Sequence, residues 1–446
     1  MRIELPEQVN QIIHRLQAEG YDAYAVGGCV RDTLLGRVPQ DWDITTSARP
    51  EAVKKLFSRT IDTGIEHGTV TVMLGHEGYE VTTYRIDGEY EDSRHPKDVT
   101  FTDNLVEDLK RRDFTINAMA YNDARGLVDA FDGEGDLQRG VIRCVGVPRD
   151  RFGEDALRML RAVRFAAQLD FSIEEQTRAA VKELAPTIAK VSAERIQMEL
   201  VKLLVSEHPE TLRTAYELGL TAVFLPEFDR MMVTPQNTEH HCYSVGEHVL
   251  HTLPEIEADK VLRLTMLLHD VAKPVCMTVD EAGKNHFHGH PARGADMAKE
   301  ILRRLKFDND TIHRVSCLIA SHDERPELSE RNVRRLASRI GPDYIPDLMK
   351  VKRADTLGQS MYQRQEKLHY VAEFERIFEE LTAREQCMTK KELAINGRDL
   401  IALGMKPGKE LGAVLDALFE QVLDHPELNT REKLLELAHN FTTLSI

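Results

Sequence analysis

The chain has 446 residues, and its 58 Lys and Arg against 74 Asp and Glu give a formal net charge of −16 at pH 7. Hydrophobic residues make up 42% and charged residues 30%, which is typical of a folded globular protein and too apolar for a disordered one. No apolar run approaches the roughly 18 residues of a membrane span, and the first residues lack the apolar segment of a secretory signal. We therefore expect a cytoplasmic chain of about two to four domains.

The six cysteines lie far apart and form no CxxC pair: Cys29, Cys144, Cys242, Cys276, Cys317 and Cys387. This spacing is typical of a reducing compartment and argues against both a disulfide framework and a zinc finger. The acidic balance argues against a surface covered in basic patches for duplex DNA, although a local arginine stripe can still bind phosphate.

In chain order, roughly the first 140 residues alternate predicted strands and helices. Runs rich in Val, Thr and Tyr predict the strands, and apolar spacing after a Pro or a Gly pair predicts the helices. The predicted strands are Ala23–Val26, Gly68–Leu74 and Tyr79–Tyr84, and the predicted helices are Pro6–Glu19, Val30–Leu35 and Pro50–Phe57. From about residue 151 onward nearly every segment has helical spacing. The pattern predicts an α+β fold, a mixed sheet with helices followed by an all-α region.

Glycines and paired carboxylates form the densest group of candidate functional residues. Gly27 and Gly28 follow the first predicted strand, where the missing side chains would let the backbone approach a phosphate. Asp41 and Asp43 are two apart, and in an extended segment such residues point to the same side. Two carboxylates with triphosphate oxygens suit Mg²⁺, and Glu80 in another predicted strand is a third candidate. From the residues alone, each feature is also compatible with a plain turn or an exposed acidic residue.

Five segments in a fixed order carry a family resemblance: GGCVRD, DWDITT, EVTTYR, RRDFTINAMAY and EDALRMLRAVRF. Together they resemble the head and neck of bacterial CCA-adding enzymes, the class II tRNA nucleotidyltransferases that also include bacterial poly(A) polymerases, within the polymerase β-like superfamily. The resemblance covers roughly residues 20–230. It implies template-independent addition of C, C and A to the 3′ end of tRNA, with CTP and ATP as substrates and Mg²⁺ as cofactor.

The resemblance also implies roles for individual residues. Metal-binding carboxylates fall on Asp41 and Asp43, with Glu80 as the third. The implied nucleotide contacts are a triphosphate turn (Gly27, Gly28 and Arg31), a sugar and phosphate motif (Arg112, Asp113 and Asn117) and a base-reading pair (Asp155 and Arg158).

Asp155 and Arg158 are three residues apart, so we expect them to be neighbours on one helix face. A carboxylate and a guanidinium can meet the donor and acceptor atoms of C or A, whereas G and U present the opposite polarity. The alternative from the residues alone is an ordinary surface ion pair. Arg161 and Arg164 continue the spacing as a basic stripe, which would follow the triphosphate or the tRNA end or else form a solvated face.

The polar stretch from Ile86 to Asp108 is predicted to be a long irregular segment. In the family that the chain resembles, a flexible loop at this place accompanies the switch from C to A addition, and members that add only CC have a shortened or altered loop. The length retained in this chain favours complete CCA addition.

Histidines and aspartates in the α-helical region form a second constellation. In order they read H…HD…H…H…D, a mixed ligand set suited to divalent metals, although each histidine taken singly is more often a packed or surface residue. The order resembles the HD phosphohydrolase superfamily, which implies one or two divalent metals of unknown identity, a bound water as nucleophile and a phosphate contact from Lys273. The implied ligands are His248, His269, Asp270, His290, His322 and Asp355. Five further histidines have no assigned role beyond surface or supporting positions: His240, His241, His251, His286 and His288.

These features predict four domains: a nucleotidyltransferase head (1–140), a nucleotide-selecting and RNA-binding neck (141–230), an HD domain (231–365) and a tRNA-binding tail (366–446). The implied partners are the tRNA 3′ end, CTP and ATP, without a membrane, and the oligomeric state is not predicted. Two alternatives stay open: an A-adding enzyme or bacterial poly(A) polymerase, which shares the head motifs, and an HD phosphodiesterase whose head only docks RNA. The intact carboxylate pair argues against a tRNA-binding protein without catalysis.

Overall fold

A computed structural model of the chain describes residues 3–88, 99–239 and 242–443. The chain divides into two units, Met1–Pro226 and Glu227–Ile446. Within the described ranges, no helix combines the length and the apolar character needed to cross a membrane. The finer boundaries at residues 140, 230 and 365 stay predictions.

The N-terminal unit is built around a seven-stranded mixed sheet, with the strand order β3-β4-β5-β2-β1-β8-β9. The strands of this unit are β1 (Ala23–Val26), β2 (Ile44–Thr46), β3 (Thr60–Gly64), β4 (Thr69–Leu74), β5 (Glu77–Thr83), β6 (Arg85–Asp87), β7 (Val99–Phe101), β8 (Met119–Asn122), β9 (Gly126–Asp129), β10 (Val141–Ile142) and β11 (Ser172–Ile173). Its helices are α1 (Glu7–Ala18), α2 (Gly28–Leu34), α3 (Pro50–Leu56), α4 (Leu105–Lys110), α5 (Gly133–Arg139), α6 (Pro148–Glu154), α7 (Leu157–Leu169), α8 (Glu175–Leu184), α9 (Ala193–Leu204), α10 (Leu212–Glu217) and α11 (Thr221–Phe224).

The three predicted strands and three predicted helices of the head are confirmed, and each observed end lies within two residues of the predicted one. Strand β1 is buried at all four positions, because it lies between β2 and β8 near the centre of the sheet. Helix α1 buries Val9, Ile12, Ile13 and Leu16, whose spacing forms one apolar helix face. Strands β2 and β5 pair in parallel with Ile44 opposite Val81, which brings the segment before β2 beside Glu80.

The structure corrects the prediction of one irregular segment from Ile86 to Asp108. Strands β6 and β7 pair antiparallel, and helix α4 begins at Leu105 with Asn104 capping its N-terminus. The remainder of the predicted loop, residues 89–98, lies outside the described residues.

A second correction concerns Asp155 and Arg158, which do not lie on one continuous helix. Helix α6 ends at Glu154, Asp155 has extended backbone angles (φ −143°, ψ 104°), and helix α7 begins at Leu157. The Asp155 carboxylate accepts a hydrogen bond from the backbone N–H of Leu157 (3.1 Å), so Asp155 helps to start α7 instead of lying on its face.

The C-terminal unit is α-helical apart from one two-stranded hairpin, as the all-α prediction required, and the α+β fold class is confirmed. Its helices are α12 (Pro226–Val233), α13 (Val245–Thr252), α14 (Lys260–Leu268), α15 (Lys273–Cys276), α16 (His290–Arg304), α17 (Asn309–Ser321), α18 (Glu330–Ile340), α19 (Ile345–Gly358), α20 (Arg364–Ala383), α21 (Gly397–Ala402), α22 (Lys409–Asp424) and α23 (Arg431–Thr443). The hairpin strands are β12 (Thr278–Val279) and β13 (Asn285–His286). The last helices share a core that includes Leu400, Leu418, Val422 and Leu434.

Candidate active site and candidate metal centre

Three carboxylates converge beside the central strands β2 and β5 of the sheet in the N-terminal unit. The backbone carbonyl of Asp43 accepts a hydrogen bond from the N–H of Val26 (2.9 Å), which fixes the segment of Asp41 and Asp43 against the end of β1. Partial desolvation raises the pKa of Asp43, Arg112 lowers it, and Asp41 raises it further. Desolvation and the charges of Asp43 and Asp41 also raise the pKa of Glu80. The three negative charges therefore repel one another, and a cation bound between them would relieve this repulsion.

The Gly27 turn is packed directly against Arg112. Gly27 has φ +84°, and a Cβ atom at this position would lie 2.7 Å from the Arg112 Nη1 atom. Burial lowers the pKa of Arg112, although Asp108, Asp43 and Asp113 oppose this effect. The buried Nε atom of Arg112 has no hydrogen-bond partner in the described part of the chain. A guanidinium with unused donors beside a glycine turn is suited to binding an anionic group such as a phosphate.

A chain of side-chain hydrogen bonds connects the other predicted nucleotide contacts. Arg31 donates to Asn117 Oδ1 (2.7 Å), Asn117 donates to Asp113 Oδ1 (3.1 Å), and Arg161 donates to Asp113 Oδ2 (2.8 Å). Burial would raise the pKa of Asp113, but Arg161 and Asn117 hold it well below its usual range. The structure therefore brings these four predicted residues together around one ionised carboxylate.

Asp155 and Arg158 are each held by other residues and do not form the ion pair that was the alternative interpretation. Arg195 donates two hydrogen bonds to the Asp155 carboxylate (3.2 and 2.7 Å). Arg158 donates to Glu154 (2.7 Å) and to the backbone carbonyl of Arg111 (3.1 Å). Arg195 was not predicted as a site residue, because a partner 40 positions away on α9 leaves no local signal in the sequence.

The prediction of one basic stripe along α7 is wrong for Arg164. This residue is only 5% exposed, donates to Glu199 of α9 (2.6 Å) and lies over the Phe165 ring at 3.6 Å. Glu199, which was not predicted as a site residue, pairs with the buried guanidinium of Arg164.

In the C-terminal unit, the six predicted metal ligands come together. They fall on separate segments: α13, the residues that follow α14 and α17, the first residue of α16, and α19. His248 Nε2 lies 2.9 Å from Asp355 Oδ1 and 3.3 Å from His269 Nε2. His290 Nε2 lies 3.4 Å from His322 Nε2.

The backbone fixes the tautomer of all four histidines in this cluster. Each Nδ1 atom lies at hydrogen-bond distance from a backbone carbonyl: His248 from Gly358 (3.2 Å), His269 from Met266 (2.8 Å), His290 from Phe287 (2.8 Å) and His322 from Ile319 (2.7 Å). When Nδ1–H donates, Nε2 of a neutral ring carries a lone pair. The Nε2 atoms of His248 and His269, and those of His290 and His322, then lie 3.3 and 3.4 Å apart, an arrangement that a cation would stabilise.

Asp270 joins two groups of ligands. One group is His248, His269 and Asp270, the other is Asp270, His290 and His322, and the ligand atoms within each group lie within 4.8 Å of one another. Asp270 Oδ2 is 3.3 Å from His269 Nε2 and Oδ1 is 3.4 Å from His290 Nε2. Asp270 therefore directs one oxygen to each group, and Oδ2 also pairs with the Lys273 ammonium.

The pKa values of two histidines in this cluster are strongly shifted from the usual value. Burial lowers the pKa of His269, but Asp270 and Asp355 outweigh it and raise this pKa to about 10. Burial, His269 and other neighbours lower the pKa of His322 to about 3. Asp270 and Asp355 therefore stabilise a positive charge beside them in this cluster.

Lys273 contacts the cluster instead of lying free beside it. Its Nζ atom is 2.7 Å from Asp270 Oδ2 and 2.9 Å from Gln236 Oε1. His251 stacks on Tyr243 and His286 Nε2 donates a hydrogen bond to the Asp280 carboxylate (2.8 Å), so neither belongs to the two ligand groups. His240 and His241 lie outside the described residues.

Comparison with known proteins covers both units. Family models match three parts of the chain: "Poly A polymerase head domain" at residues 23–143, "Probable RNA and SrmB- binding site of polymerase A" at 170–232 and "tRNA nucleotidyltransferase domain 2" at 293–438. The chain is 37% identical over 429 residues to the CCA-adding enzyme of Lactiplantibacillus plantarum (96% of this chain, 94% of that one) and 38% identical over 435 residues to that of Enterococcus faecalis (96% and 94%).

A solved structure agrees with these relatives. The Bacillus stearothermophilus CCA-adding enzyme in complex with CTP is 30% identical, superposes with a TM-score of 0.76 and covers 99% of both chains. The two relatives are more than 30% identical to this chain over nearly its whole length, and the solved structure has the same fold. The chain belongs to the family of CCA-adding enzymes.

Proposed function

We propose that this chain adds C, C and A to the 3′ end of tRNA, using CTP and ATP. The observation that carries the proposal is the convergence of Asp41, Asp43 and Glu80 beside the Gly27 turn and Arg112, whose Nε atom has no hydrogen-bond partner among the described residues. Further support comes from the relatives, which are CCA-adding enzymes, and from the similar structure, which was solved with CTP.

The carboxylates fit Mg²⁺, because oxygen ligands whose charges repel one another are stabilised by a hard cation. Asp41 and Asp43 would hold it, with Glu80 beside them. When bound, Mg²⁺ would supply charge stabilisation at the attacking and leaving oxygens.

The protein's own residues position the reactants. Gly27 lets the triphosphate approach the backbone, and Arg112 and Arg31 offer donors to its oxygens. Asp155 and Arg158 meet the edge of the incoming base. The oxygen of the RNA 3′-hydroxyl forms a bond to the α-phosphorus and its proton leaves to solvent, while the bond to the bridging oxygen breaks and pyrophosphate departs with that electron pair.

Two RNA substrates separate this proposal from its alternatives. We expect a tRNA that lacks its last three nucleotides to gain two C and one A from CTP and ATP and then to stop, and a tRNA that ends in CC to gain one A. Addition of A alone to the CC end would indicate an A-adding enzyme, and a long run of A would indicate a poly(A) polymerase. If neither RNA gained a nucleotide, the result would support the alternative in which the head only docks RNA.

Gly27→Ala tests the turn. The new Cβ would displace Arg112, so we expect CTP affinity to fall by about 10-fold or more, the size of one hydrogen bond to a charged group. The control is Gly20→Ala, which has nearly the same φ (+85°) but nothing within 4 Å of the added Cβ. Both variants should lose about 1–3 kcal/mol of stability, whereas only Gly27→Ala should lose CTP binding. Equal CTP affinity in the two variants would contradict the assignment.

Arg195→Lys tests the base-reading role of Asp155. Lysine keeps the charge but cannot make both hydrogen bonds to the carboxylate. We expect discrimination of CTP against UTP, measured as the ratio of kcat/KM values, to fall by about 10-fold. The control is Arg178→Lys, since Arg178 makes an exposed pair with Glu217. Unchanged discrimination in Arg195→Lys would show that Asp155 needs no such support.

We propose further that the C-terminal cluster binds two divalent metals and hydrolyses phosphate esters. The supporting observation is that the Nε2 atoms of His248 and His269 lie beside Asp270 Oδ2, and those of His290 and His322 lie beside Asp270 Oδ1. His248, His269, Asp270 and Asp355 would hold one ion, and Asp270, His290 and His322 the other. A cavity of about 390 Å³ lies against Asp270, His290, His322 and Asp355, which leaves room for water and a phosphate.

The predicted role of the tail in binding tRNA stays a prediction. Its basic residues Arg398, Lys406 and Lys409 are all exposed and available to phosphates.

A further inference from the structure

A buried carboxylate on α4 joins three segments of the N-terminal unit. Asp108 is fully buried, and its Oδ2 atom accepts a hydrogen bond from the Thr45 hydroxyl (3.0 Å). Its Oδ1 atom accepts hydrogen bonds from Arg111 Nε (2.9 Å) and from the backbone N–H of Arg85 (3.3 Å). Because hydrogen bonds to an ionised acceptor are short and strong, this side chain holds β2, β6 and the end of α4 at fixed distances from one another.

The hydrogen bond from Thr45 connects α4 to the strands of the metal-binding carboxylates. Thr45 follows Asp43 by two positions, so in an extended segment the two side chains point to the same face. In the pairing of β2 with β5, Thr45 lies opposite Thr82, which follows Glu80 by two positions. The hydrogen bond to Asp108 therefore anchors α4 to the face of the sheet that carries Asp43 and Glu80.

The hydrogen bond from Arg111 connects α4 to the base-reading region. The Arg111 guanidinium pairs with Asp108, while the backbone carbonyl of Arg111 accepts a hydrogen bond from Arg158 Nη2 (3.1 Å). Arg111 is thus bound to α4 through its side chain and to α7 through its backbone. Asp108 therefore fixes the residue that holds one side of the Arg158 guanidinium.

The negative charge of Asp108 matters as well as its shape. Among the charges around Arg112, that of Asp108 is the main one that opposes the lowering of the Arg112 pKa by burial. Asp108 also forms the ion pair with Arg111, whose side chain is largely buried. Two guanidiniums in a poorly solvated place need a counter-charge nearby. A neutral residue of the same shape would supply hydrogen bonds but not this charge.

We infer that Asp108 is a positioning residue for nucleotide addition, which links the strand of the metal-binding carboxylates to the base-reading Arg158. The inference rests on the proposed nucleotidyl transfer and adds a residue that acts on it through other side chains. Asp108 reaches the strand through Thr45 and the base-reading region through Arg111. Weakening the contact with Arg111 alters the choice of base, whereas removing the contact with Thr45 alters the rate.

Asp108→Asn tests the contact with Arg111. The amide has the size of the carboxylate and can still face Thr45, because a hydroxyl also accepts hydrogen bonds, but the charge that holds Arg111 is lost. We expect discrimination of CTP against UTP, measured as the ratio of kcat/KM values, to fall by about 10-fold. Unchanged discrimination would overturn the inference.

Thr45→Val tests the contact with the strand. Valine has nearly the same shape as threonine, and this variant retains the charge beside Arg111 but loses the donor to Asp108. We expect kcat to fall by about 10-fold, since a small displacement of reacting groups has an effect of this size or larger, while discrimination of CTP against UTP stays at the wild-type value. A purely structural role would not separate rate from choice of base. Equal loss of discrimination in Thr45→Val and Asp108→Asn would therefore overturn the inference.

Asp136→Asn is the matched control. Asp136 is also fully buried, accepts a hydrogen bond from a threonine hydroxyl (Thr115, 2.7 Å) and pairs with an arginine three positions later (Arg139, 2.7 Å). We expect this variant to melt at a lower temperature, as Asp108→Asn should, but to keep wild-type discrimination. The same loss of discrimination in the control would show an effect common to buried carboxylates and would overturn the inference.

Calorimetric titration of CTP and UTP without RNA separates this inference from the proposed function. We expect the wild type to bind CTP more tightly than UTP and Asp108→Asn to lose most of this preference. A wild-type chain that shows the preference but adds no nucleotide to RNA would overturn the proposed function, and loss of the preference in Asp108→Asn would still support the positioning role.

Discussion

The Asp43→Asn variant is expected to lose nucleotide addition, with kcat reduced by at least about 10³-fold, the scale of lost electrostatic stabilisation at a reacting centre. The amide keeps the shape of the side chain but removes the charge that would hold Mg²⁺. Single-turnover incorporation of CTP into a tRNA that lacks CCA measures the effect. Asp62→Asn is the matched control, because Asp62 is an exposed residue of the same sheet that pairs with Lys54. Equal rates in the two variants would contradict the carboxylate assignment.

The same variant has an expected effect on stability with a definite sign. The pKa of Asp43 is raised in the folded chain, so its ionisation becomes unfavourable to folding as the pH rises above the pKa of the unfolded chain. In the absence of metal at pH 7, Asp43→Asn should therefore melt at or above the wild-type temperature. Mg²⁺ should raise the melting temperature of the wild type more than that of the variant, which scanning calorimetry can measure.

The Asp270→Asn variant is expected to lose most of the metal bound to the C-terminal unit, because this carboxylate belongs to both ligand groups. Elemental analysis should show a fall of about two ions per chain, with loss of phosphate-ester hydrolysis. Without metal, the buried charges of Lys273 and His269 lose a partner, at a cost of about 3 kcal/mol. Nucleotide addition should persist, since Asp270 lies outside the N-terminal unit.

Two further variants make this result decisive. His322→Gln removes one ligand whose pKa is lowered to about 3, so it should lose metal without leaving a buried charge unpaired. Asp296→Asn replaces an exposed aspartate of α16 that pairs only with Lys299 among the described ion pairs, and it should keep both metal and hydrolysis. Full metal content in His322→Gln and Asp270→Asn would refute the metal centre.

Local sequence patterns correctly predicted the strands beside the candidate active site. Alternating and fully apolar runs located β1 and β5, and the spacing of Asp41 and Asp43 required only an extended segment between them. Their position beside Glu80 depends on the parallel pairing of β2 with β5, which a single sequence does not encode locally. The family resemblance supplied that step.

The base-reading region was predicted less well, because its partners are distant in sequence. Arg195 reaches Asp155 across 40 residues, and Glu199 reaches Arg164 across 35. Helical spacing placed Asp155 and Arg164 on an open face, whereas the break between α6 and α7 and the packing of α9 determine their actual surroundings. Charged residues on a continuous helical pattern are therefore poor guides to exposure when their counter-charges lie on another helix.

The cluster of histidines and aspartates in the C-terminal unit shows the opposite case. The resemblance to HD phosphohydrolases predicted its six residues, and the structure places all six together. The role of Asp270 in joining the two ligand groups, and the fixed tautomers of the histidines, depend on helix ends that the sequence pattern does not specify.

The most direct test of the central claim is the anomalous scattering of Mn²⁺ in a crystal of this chain grown with CTP. The account predicts a peak within about 2.0–2.3 Å of carboxylate oxygens of both Asp41 and Asp43, with the triphosphate on the Gly27 and Arg112 side. Both aspartates directed away from the triphosphate, with no peak between them, would contradict it.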